Sequence, residues 1–370
     1  MKVAVFFGGK SCEHNVSVIT GMQTIKALKT RFDVIAVYID QQGVFWTGSD
    51  LEKIESYKKG AKPKKVKALL SPASNVLYSE KGKAISQIDS AILATHGYGG
   101  EDGCLQGLLT LCNIPFSGSG VLASAVGMDK VFMKKIFAQN GLPLVPYIAV
   151  SKDEYKNERV LVIEKIRKQL LFPLIVKPAS GGSSIGISVA KDLTALFEAI
   201  KVGFLWDNTI IIENCLSNFV EYNCAVLGDK FNAVTSEIER PIASDNFLSY
   251  QDKYTRKQKG TGREFPAVVT MELRKKIKTL AKQAFCSING GGVARIDFLY
   301  DGVNLFVNEI NTIPGSLSFY LFKEGDVTLS FTDLLERLIH FAKERKAAQD
   351  ALQYRYESNY ELQGMGGKSN

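Results

Sequence analysis

The sequence has few of the residues that would place it in several common classes. Six cysteines, Cys12, Cys104, Cys112, Cys215, Cys224 and Cys286, are spread over 370 residues with no CxxC pair, and there are only three histidines. That leaves few ligands for zinc and no disulfide framework, so the thiols read as reduced and cytosolic. No apolar run opens the chain: Met1 to Phe7 meets Gly8-Gly9 too soon for a signal peptide. Residues 103 to 128 carry no charge, but Asn113, Pro115, Gly118 and Gly120 break that stretch with turn residues, so it does not read as a membrane span. Repeats and low-complexity tracts are missing too.

What is present fits a folded globular protein, with 45% hydrophobic and 23% charged residues. The length predicts two or three packed units, at ~100–200 residues each. A net charge of +8 suits either a nucleic-acid binder or an enzyme handling an anion, and its placement separates them. Lys58, Lys59, Lys62, Lys64, Lys65 and Lys67 have little aromatic interleaving and read as a solvated segment. Lys253, Arg256, Lys257, Lys259 and Arg263 cluster around Gly260 and Gly262, as a phosphate-handling loop would. Neither nucleic acid nor membrane is therefore an expected partner.

Along residues 1–125, apolar runs (Val3 to Phe7, Val34 to Tyr38, Ile88 to Thr95) alternate with amphipathic stretches at 15 to 28 and 102 to 112, predicting a parallel α/β unit. Residues 43 to 85, rich in Lys and Ser, read as an irregular insertion at the sheet edge. A second unit is expected over 126–207 and a third over 208–345, the latter with a long helix near 271 to 286, strands at 293 to 300 and 304 to 310, and a last helix near 328 to 345. Residues 346–370, ending Gly-Met-Gly-Gly-Lys-Ser-Asn, read as a disordered tail.

The strongest local signal is Arg295-Ile296-Asp297 followed by Glu309-Ile310-Asn311. Strand periodicity puts Arg295 and Asp297 on one face, and likewise Glu309 and Asn311; a hairpin over Tyr300 to Asn304 would bring all four together. Two carboxylates and an amide are hard oxygen donors of the kind Mg²⁺ prefers. The same residues also suit a solvated sheet face with an ordinary ion pair. Lys177-Pro178-Ala179-Ser180-Gly181-Gly182-Ser183-Ser184 places a strand-terminal lysine before a glycine-serine loop that can wrap phosphate oxygens; it is not a Walker A loop, because the lysine comes first, and alone it suits a flexible loop equally. Glu213-Asn214-Cys215-Leu216 with Glu221 resembles a hinge that reads an adenine edge and ribose hydroxyls, or else a plain strand end. Gly8-Gly9-Lys10-Ser11-Cys12-Glu13-His14 and His96-Gly97-Tyr98-Gly99-Gly100-Glu101-Asp102-Gly103 each follow a strand, where parallel sheets bind ligands.

These segments, with Gly127-Met128-Asp129-Lys130, Lys253-Tyr254 and Glu309-x-Asn311-Thr312-x-Pro314-Gly315, occur in the order found in D-alanine:D-alanine ligases of the ATP-grasp superfamily, and the resemblance runs from about residue 3 to 342. It implies an N-terminal α/β domain followed by a two-lobed ATP-grasp fold. It also implies a cytoplasmic, ADP-forming enzyme of peptidoglycan precursor synthesis, commonly a homodimer, that joins D-alanine to a second D-amino acid through an acyl phosphate. By the resemblance, Lys130, Lys177 and Lys253 contact ATP phosphates, Glu213, Asn214 and Leu216 hold adenine, and Glu221 holds ribose. Asp297, Glu309 and Asn311 bind two Mg²⁺, for which Mn²⁺ can substitute. Glu13 fixes the first ammonium and His96 lies near the first carboxylate. Ser183, Tyr254 and Glu13 form a group closing a lid over 244 to 263, and Arg295 with the Gly315 N–H meets the oxyanion.

Three features depart from the family. Phe319-Tyr320-Leu321 stands where a His-Ser-Leu usually receives the second carboxylate, leaving Tyr320 and Leu321 as the acceptor-side candidates. The lid reads Phe247-Leu248-Ser249-Tyr250, and the Glu213 to Glu221 spacing is one residue longer than in the family. Tyr254 resembles the dipeptide-forming members. D-serine or D-lactate as acceptor, or a catalytically silent nucleotide-binding relative, are the alternatives.

Overall fold

The computed structural model describes residues 1–242 and 262–354. Strand β1 (Lys2–Gly8) is buried along nearly its whole length and pairs in parallel with β2 (Asp33–Ile39) on one side and β7 (Ser90–Leu93) on the other. A parallel centre of this kind must be covered, which explains the continuous Val3–Phe7 run. Helices α1 (His14–Leu28) and α2 (Cys104–Leu111) leave the chain just after β1 and β7. Ser17, fully buried on α1, accepts from the Gly8 N–H at 2.7 Å and donates to the Ala94 carbonyl at 2.6 Å. One hydroxyl thus ties the ends of both strands together, and with them the loops carrying Glu13 and His96.

Residues 43–85, expected to be irregular, extend this sheet. β3 (Phe45–Thr47), β4 (Val66–Ser71), β5 (Ser74–Ser79) and β6 (Ala84–Gln87) add to the β2 edge in antiparallel steps, with two short 3₁₀ turns between β3 and β4. Few buried residues suffice there, chiefly Ala68 and Leu77, so the hydrophobic alternation that marks a strand is almost lost in the sequence.

After α3 (Val121–Met128) and α4 (Lys130–Gln139), capped by Asp129, comes an antiparallel sheet in the order β10-β9-β11-β8, among the described residues. Its strands are β8 (Tyr147–Ser151), β9 (Leu174–Pro178), β10 (Ser188–Ala190) and β11 (Thr209–Asn214). Helices α5 (Lys152–Asn157), α6 (Arg159–Gln169) and α7 (Leu193–Trp206) connect them. Because β11 pairs with both β8 and β9, the change of sheet falls after Asn214, later than the boundary expected at 207/208.

The last sheet runs β14-β13-β12-β15-β16, built from β12 (Val220–Gly228), β13 (Val234–Ile242), β14 (Gly262–Glu264), β15 (Gly292–Tyr300) and β16 (Leu305–Asn311). Ile296 and Phe298 pack with Ile277, Ala281 and Phe285 of α8 (Met271–Ser287), turning Arg295 and Asp297 to the opposite face. The final helix, α9 (Phe331–Asp350), continues five residues past the expected end at 345, with Lys346 paired to Asp350 at 2.6 Å across one turn. Residues 355–370 of the expected tail lie outside the described residues. Among the described residues, no helix is long and apolar enough to cross a membrane.

Candidate active site

Register in the last sheet makes a polar row. Glu239 on β13 faces Asn223 on β12, Asn223 faces Asp297 on β15, and Asp297 faces Glu309 on β16. The expected hairpin therefore exists, and the row reaches two strands beyond it. Arg295 clamps Asp297 with two hydrogen bonds, Nε at 2.6 Å and Nη2 at 2.7 Å, and the Asn311 amide donates to the same carboxylate at 3.1 Å. Burial works against the charge on Arg295, but the Asp297 carboxylate outweighs it and holds the guanidinium pKa well above its ordinary value.

Two cavities meet along this row. The larger, about 780 Å³, lies between the second and third sheets and is lined by Lys130, Lys177, the 180–185 loop and residues 217–222. The second, about 680 Å³, opens between the third sheet and the strand ends of the first, where it takes in Glu13, His96, Arg295, Asn311 and Gly315. Lys130, Ser183, Glu221 and Glu309 line both, so the two volumes share a wall at the place where a phosphate could pass from one occupant to another.

The larger cavity's basic end rests on a buried cluster. Glu213 is 2% exposed and lies 2.7 Å from Lys134 Nζ and 2.6 Å from Lys177 Nζ. Burial alone would raise the Glu213 pKa, but the two lysines outweigh it and bring it to about 2. Burial likewise opposes the charge on Lys177, yet Glu213 holds that pKa above the lysine norm; for Lys134 burial prevails and the pKa falls. The adenine-hinge expectation falls on the end of strand β11 and the segment after it. Glu213, Asn214 and Leu216 line neither cavity, while Ser217 to Glu221 do. Strand β11 continues to Asn214, and the N–H groups of Asn214 and Cys215 already donate to the Pro146 and Pro173 carbonyls.

Backbone geometry suits the 180–186 loop to close contact with oxygen atoms. Gly181, Ser183, Ser184 and Gly186 all have positive φ, and a Cβ on Gly186 would stand 2.6 Å from the Trp206 ring. Lys130 Nζ reaches over this loop to the Gly181 carbonyl at 2.7 Å.

In the second cavity, Ser183 donates to Glu13. Their expected partner Tyr254 lies outside the described residues, as does Lys253. His96 is buried, with Nδ1 2.8 Å from the Ile313 carbonyl and Nε2 3.0 Å from Thr20 Oγ1, and burial lowers its pKa, so the ring is neutral near pH 7. Thr20 also accepts from the Ser316 N–H at 3.1 Å, which fixes the start of the turn that carries Gly315.

On the acceptor side, Tyr320 lines the cavity but donates to Glu239 at 3.0 Å, so its hydroxyl is already engaged. Leu321, expected to touch substrate, is fully buried in the core with Leu317 and Phe322. An apolar side chain finds more burial there than at the cavity wall.

Sequence reasoning missed four residues. Glu239 and Asn223 belong to the polar row, which only strand register exposes. Lys134 sits four residues after Lys130, one helical turn along α4, and that spacing was the available signal. Glu101 was quoted in its motif without a role; it accepts from the Ile313 N–H at 2.9 Å and the Gly97 N–H at 3.2 Å, binding the His96 loop to the turn before Gly315. Burial, and then the nearby Glu13, raise its pKa to about 7.

Among the described residues, no trio of His, Cys, Asp or Glu gathers closely enough to hold an ion. Asp297, Glu309 and Asn311 offer two carboxylates and an amide oxygen beside the shared wall. That fits a hard cation taking its remaining ligands from a phosphorylated substrate.

Comparison with known proteins settles the kinship. Residues 2–119 match the family model for the D-ala D-ala ligase N-terminus, and residues 136–340 match that for its C-terminus. The chain belongs to the D-alanine–D-alanine ligase family. A D-alanine–D-alanine ligase of Geobacillus kaustophilus is 38% identical over 365 residues, covering 96% of this chain and 98% of the relative. The D-alanine-D-alanine ligase structure from Coxiella burnetii superposes with a TM-score of 0.79 at 25% identity, over 95% of this chain and 96% of that one. The VanG D-Ala:D-Ser ligase of Enterococcus faecalis gives a TM-score of 0.80 at 26% identity, over 92% and 99%. The fold is accordingly the ATP-grasp fold of this ligase family.

Proposed function

We propose that this protein is an ATP-dependent ligase that joins D-alanine to a second D-alanine in peptidoglycan precursor synthesis, in the cytoplasm. The observation that carries the reading is the shared wall: phosphate-directed lysines in one cavity and amino-acid-directed groups in the other meet at Glu309. The chain works as three units on this reading, an N-terminal substrate domain and two ATP-grasp lobes.

ATP lies in the larger cavity with its phosphates against Lys130, Lys177 and the 180–186 loop, its ribose near Glu221, and its adenine against the 217–220 segment. Lys253 and the lid act from the segment outside the described residues. Asp297, Glu309 and Asn311 would hold Mg²⁺, or Mn²⁺ in its place, which when bound would supply positive charge against the transferring phosphoryl group. The first D-alanine sits in the second cavity, its ammonium on Glu13 and its carboxylate beside neutral His96. That carboxylate attacks the γ-phosphorus, an acyl phosphate forms and ADP leaves. The ammonium of the second D-alanine gives up a proton to solvent, and the free amine attacks the acyl carbon: the C–N bond forms, the C–O bond to phosphate breaks, and the nitrogen's second proton leaves with the departing phosphate. Arg295 and the Gly315 N–H stabilise the negative oxygen that develops. Ser183 and Glu13 anchor the loop that keeps water from the acyl phosphate.

D-alanine as acceptor is favoured over D-serine and D-lactate by the curated relatives; the VanG neighbour is the observation behind D-serine as the second reading. Purified protein given ATP, Mg²⁺ and D-alanine is expected to release ADP and phosphate and yield D-alanyl-D-alanine by mass. Release of neither in the presence of any D-amino acid would defeat the ligase reading.

A further inference from the structure

The acceptor end of the second cavity holds three side chains that the scheme above leaves without a task. Glu239 is 4% exposed and accepts from the Tyr320 hydroxyl at 3.0 Å. Arg263 Nη1 stands 3.8 Å from the other oxygen of Glu239, and its guanidinium lies 4.3 Å from the centroid of the Tyr320 ring. All three line the cavity that also takes in Arg295, Glu13 and Gly315. Glu239 heads the polar row through its register with Asn223, so it is held by a strand and not by a loop.

We propose that Glu239 receives the ammonium of the acceptor amino acid and Arg263, stacked on Tyr320, receives its carboxylate. The inference rests on the ligase reading and deepens it, because it states which acceptors the site admits. An α-amino acid enters as a zwitterion, with opposite charges on neighbouring atoms. Glu239 and Arg263 present the complementary pair side by side, and their 3.8 Å separation is longer than a hydrogen bond, so each retains capacity for a third partner. Arg suits the carboxylate because its planar fork can bind both oxygens while its face stays on the tyrosine ring.

Three further points agree. The Tyr320 hydroxyl is spent on Glu239, so it aims that carboxylate and leaves the acceptor's own carboxylate to Arg263. A carboxylate buried this deeply gains from an arriving cation, and burial pushes the Glu239 pKa up. Finally, an ammonium on Glu239 shares its cavity with Arg295 and Gly315, where the acyl carbon is to be attacked. A 2-hydroxy acid has a neutral hydroxyl at that point and leaves Glu239 without its cation, so the site selects amines over D-lactate.

The test uses the full-length protein and its E239Q, E239D and R263Q variants. Positional isotope exchange in ATP at low D-alanine reads acyl phosphate formation, and steady-state kinetics read the acceptor KM. Competition between D-alanine and D-lactate, read by product mass, gives selectivity. E239Q keeps the shape and the Tyr320 contact but loses the charge. It is expected to raise the acceptor KM about tenfold or more, the loss of one charge-assisted hydrogen bond, with exchange within about twofold of wild type. Its product ratio shifts toward the D-lactate product by a similar factor, and E239D recovers part of both. R263Q weakens both acceptors alike, since both carry the carboxylate. An E239Q protein with unchanged acceptor KM and unchanged selectivity overturns the proposal while dipeptide formation leaves the ligase reading standing. A wild-type protein without exchange or dipeptide overturns both.

Discussion

On the proposed reading Lys177 and Arg263 are both cations offered to an anionic group, and they are held in opposite ways. Lys177 projects from a strand between two sheets, buried, with Glu213 at 2.6 Å and Asn308 at 3.5 Å fixing its ammonium. Arg263 lies on short edge strand β14, half exposed, against a carboxylate 3.8 Å away. The nucleotide end is thus pre-organised by buried charge, which is costly to disturb, whereas the acceptor end keeps a loose pair that can open around a zwitterion. The contrast suits a family whose members differ in acceptor, as the VanG D-Ala:D-Ser ligase and the D-alanine–D-alanine ligases do.

Substitutions at the two ends, and at the wall between them, should therefore differ in size and kind. The largest effect is expected from Glu309→Gln at the shared wall: turnover falls ~100-fold or more, and the Mg²⁺ titration of ADP release moves to higher concentration. Unchanged activity at limiting Mg²⁺ would remove Glu309 from the metal set. Next comes Glu213→Ala, which strands two buried lysines and should cost on the order of 3–5 kcal/mol in stability, seen as a lowered unfolding temperature.

Glu213 also predicts an acid limb. Its folded pKa of about 2 lies below the ordinary glutamate value, so its stabilising contribution is full above about 4.5 and fades as pH falls from there toward 2. Denaturant melts of wild type from pH 6 to 2.5 should show that loss, and Glu213→Gln should flatten it. Ser183→Ala, which frees Glu13, is expected to lower kcat/KM for the first D-alanine about tenfold, with the KM for ATP little changed. The smallest change is expected from Tyr320→Phe at the loose end, a two- to fivefold rise in acceptor KM from about 0.5–1 kcal/mol; a rise as large as that of E239Q would mean that Tyr320 binds substrate itself.

The polar hairpin was legible in the sequence because period-2 alternation and a short turn bring Arg295, Asp297, Glu309 and Asn311 together with no outside information. Glu239 was not, because its place in the row depends on which strand lies beside which, and the irregular pairing of β12 and β13 between Cys224 and Val226 shifts the alternation just before it. Strands β4 to β6 escaped for a different reason: only Ala68 and Leu77 of their residues are buried, so their apolar residues do not alternate with polar ones as a half-buried strand's would. For Leu321 the sequence reads the same whether the side chain faces the cavity or the core, and the fold puts it in the core.

The central claim is that the carboxylate of one D-alanine takes a phosphoryl group from ATP before any peptide bond forms. Positional isotope exchange tests it most directly: ATP carrying ¹⁸O in its β,γ-bridge is incubated with enzyme, Mg²⁺ and D-alanine, and the label is followed by ³¹P NMR. Scrambling of bridge oxygen that requires D-alanine is the predicted result, whereas ligation of D-alanine without any scrambling, under conditions where ADP is retained, would contradict it.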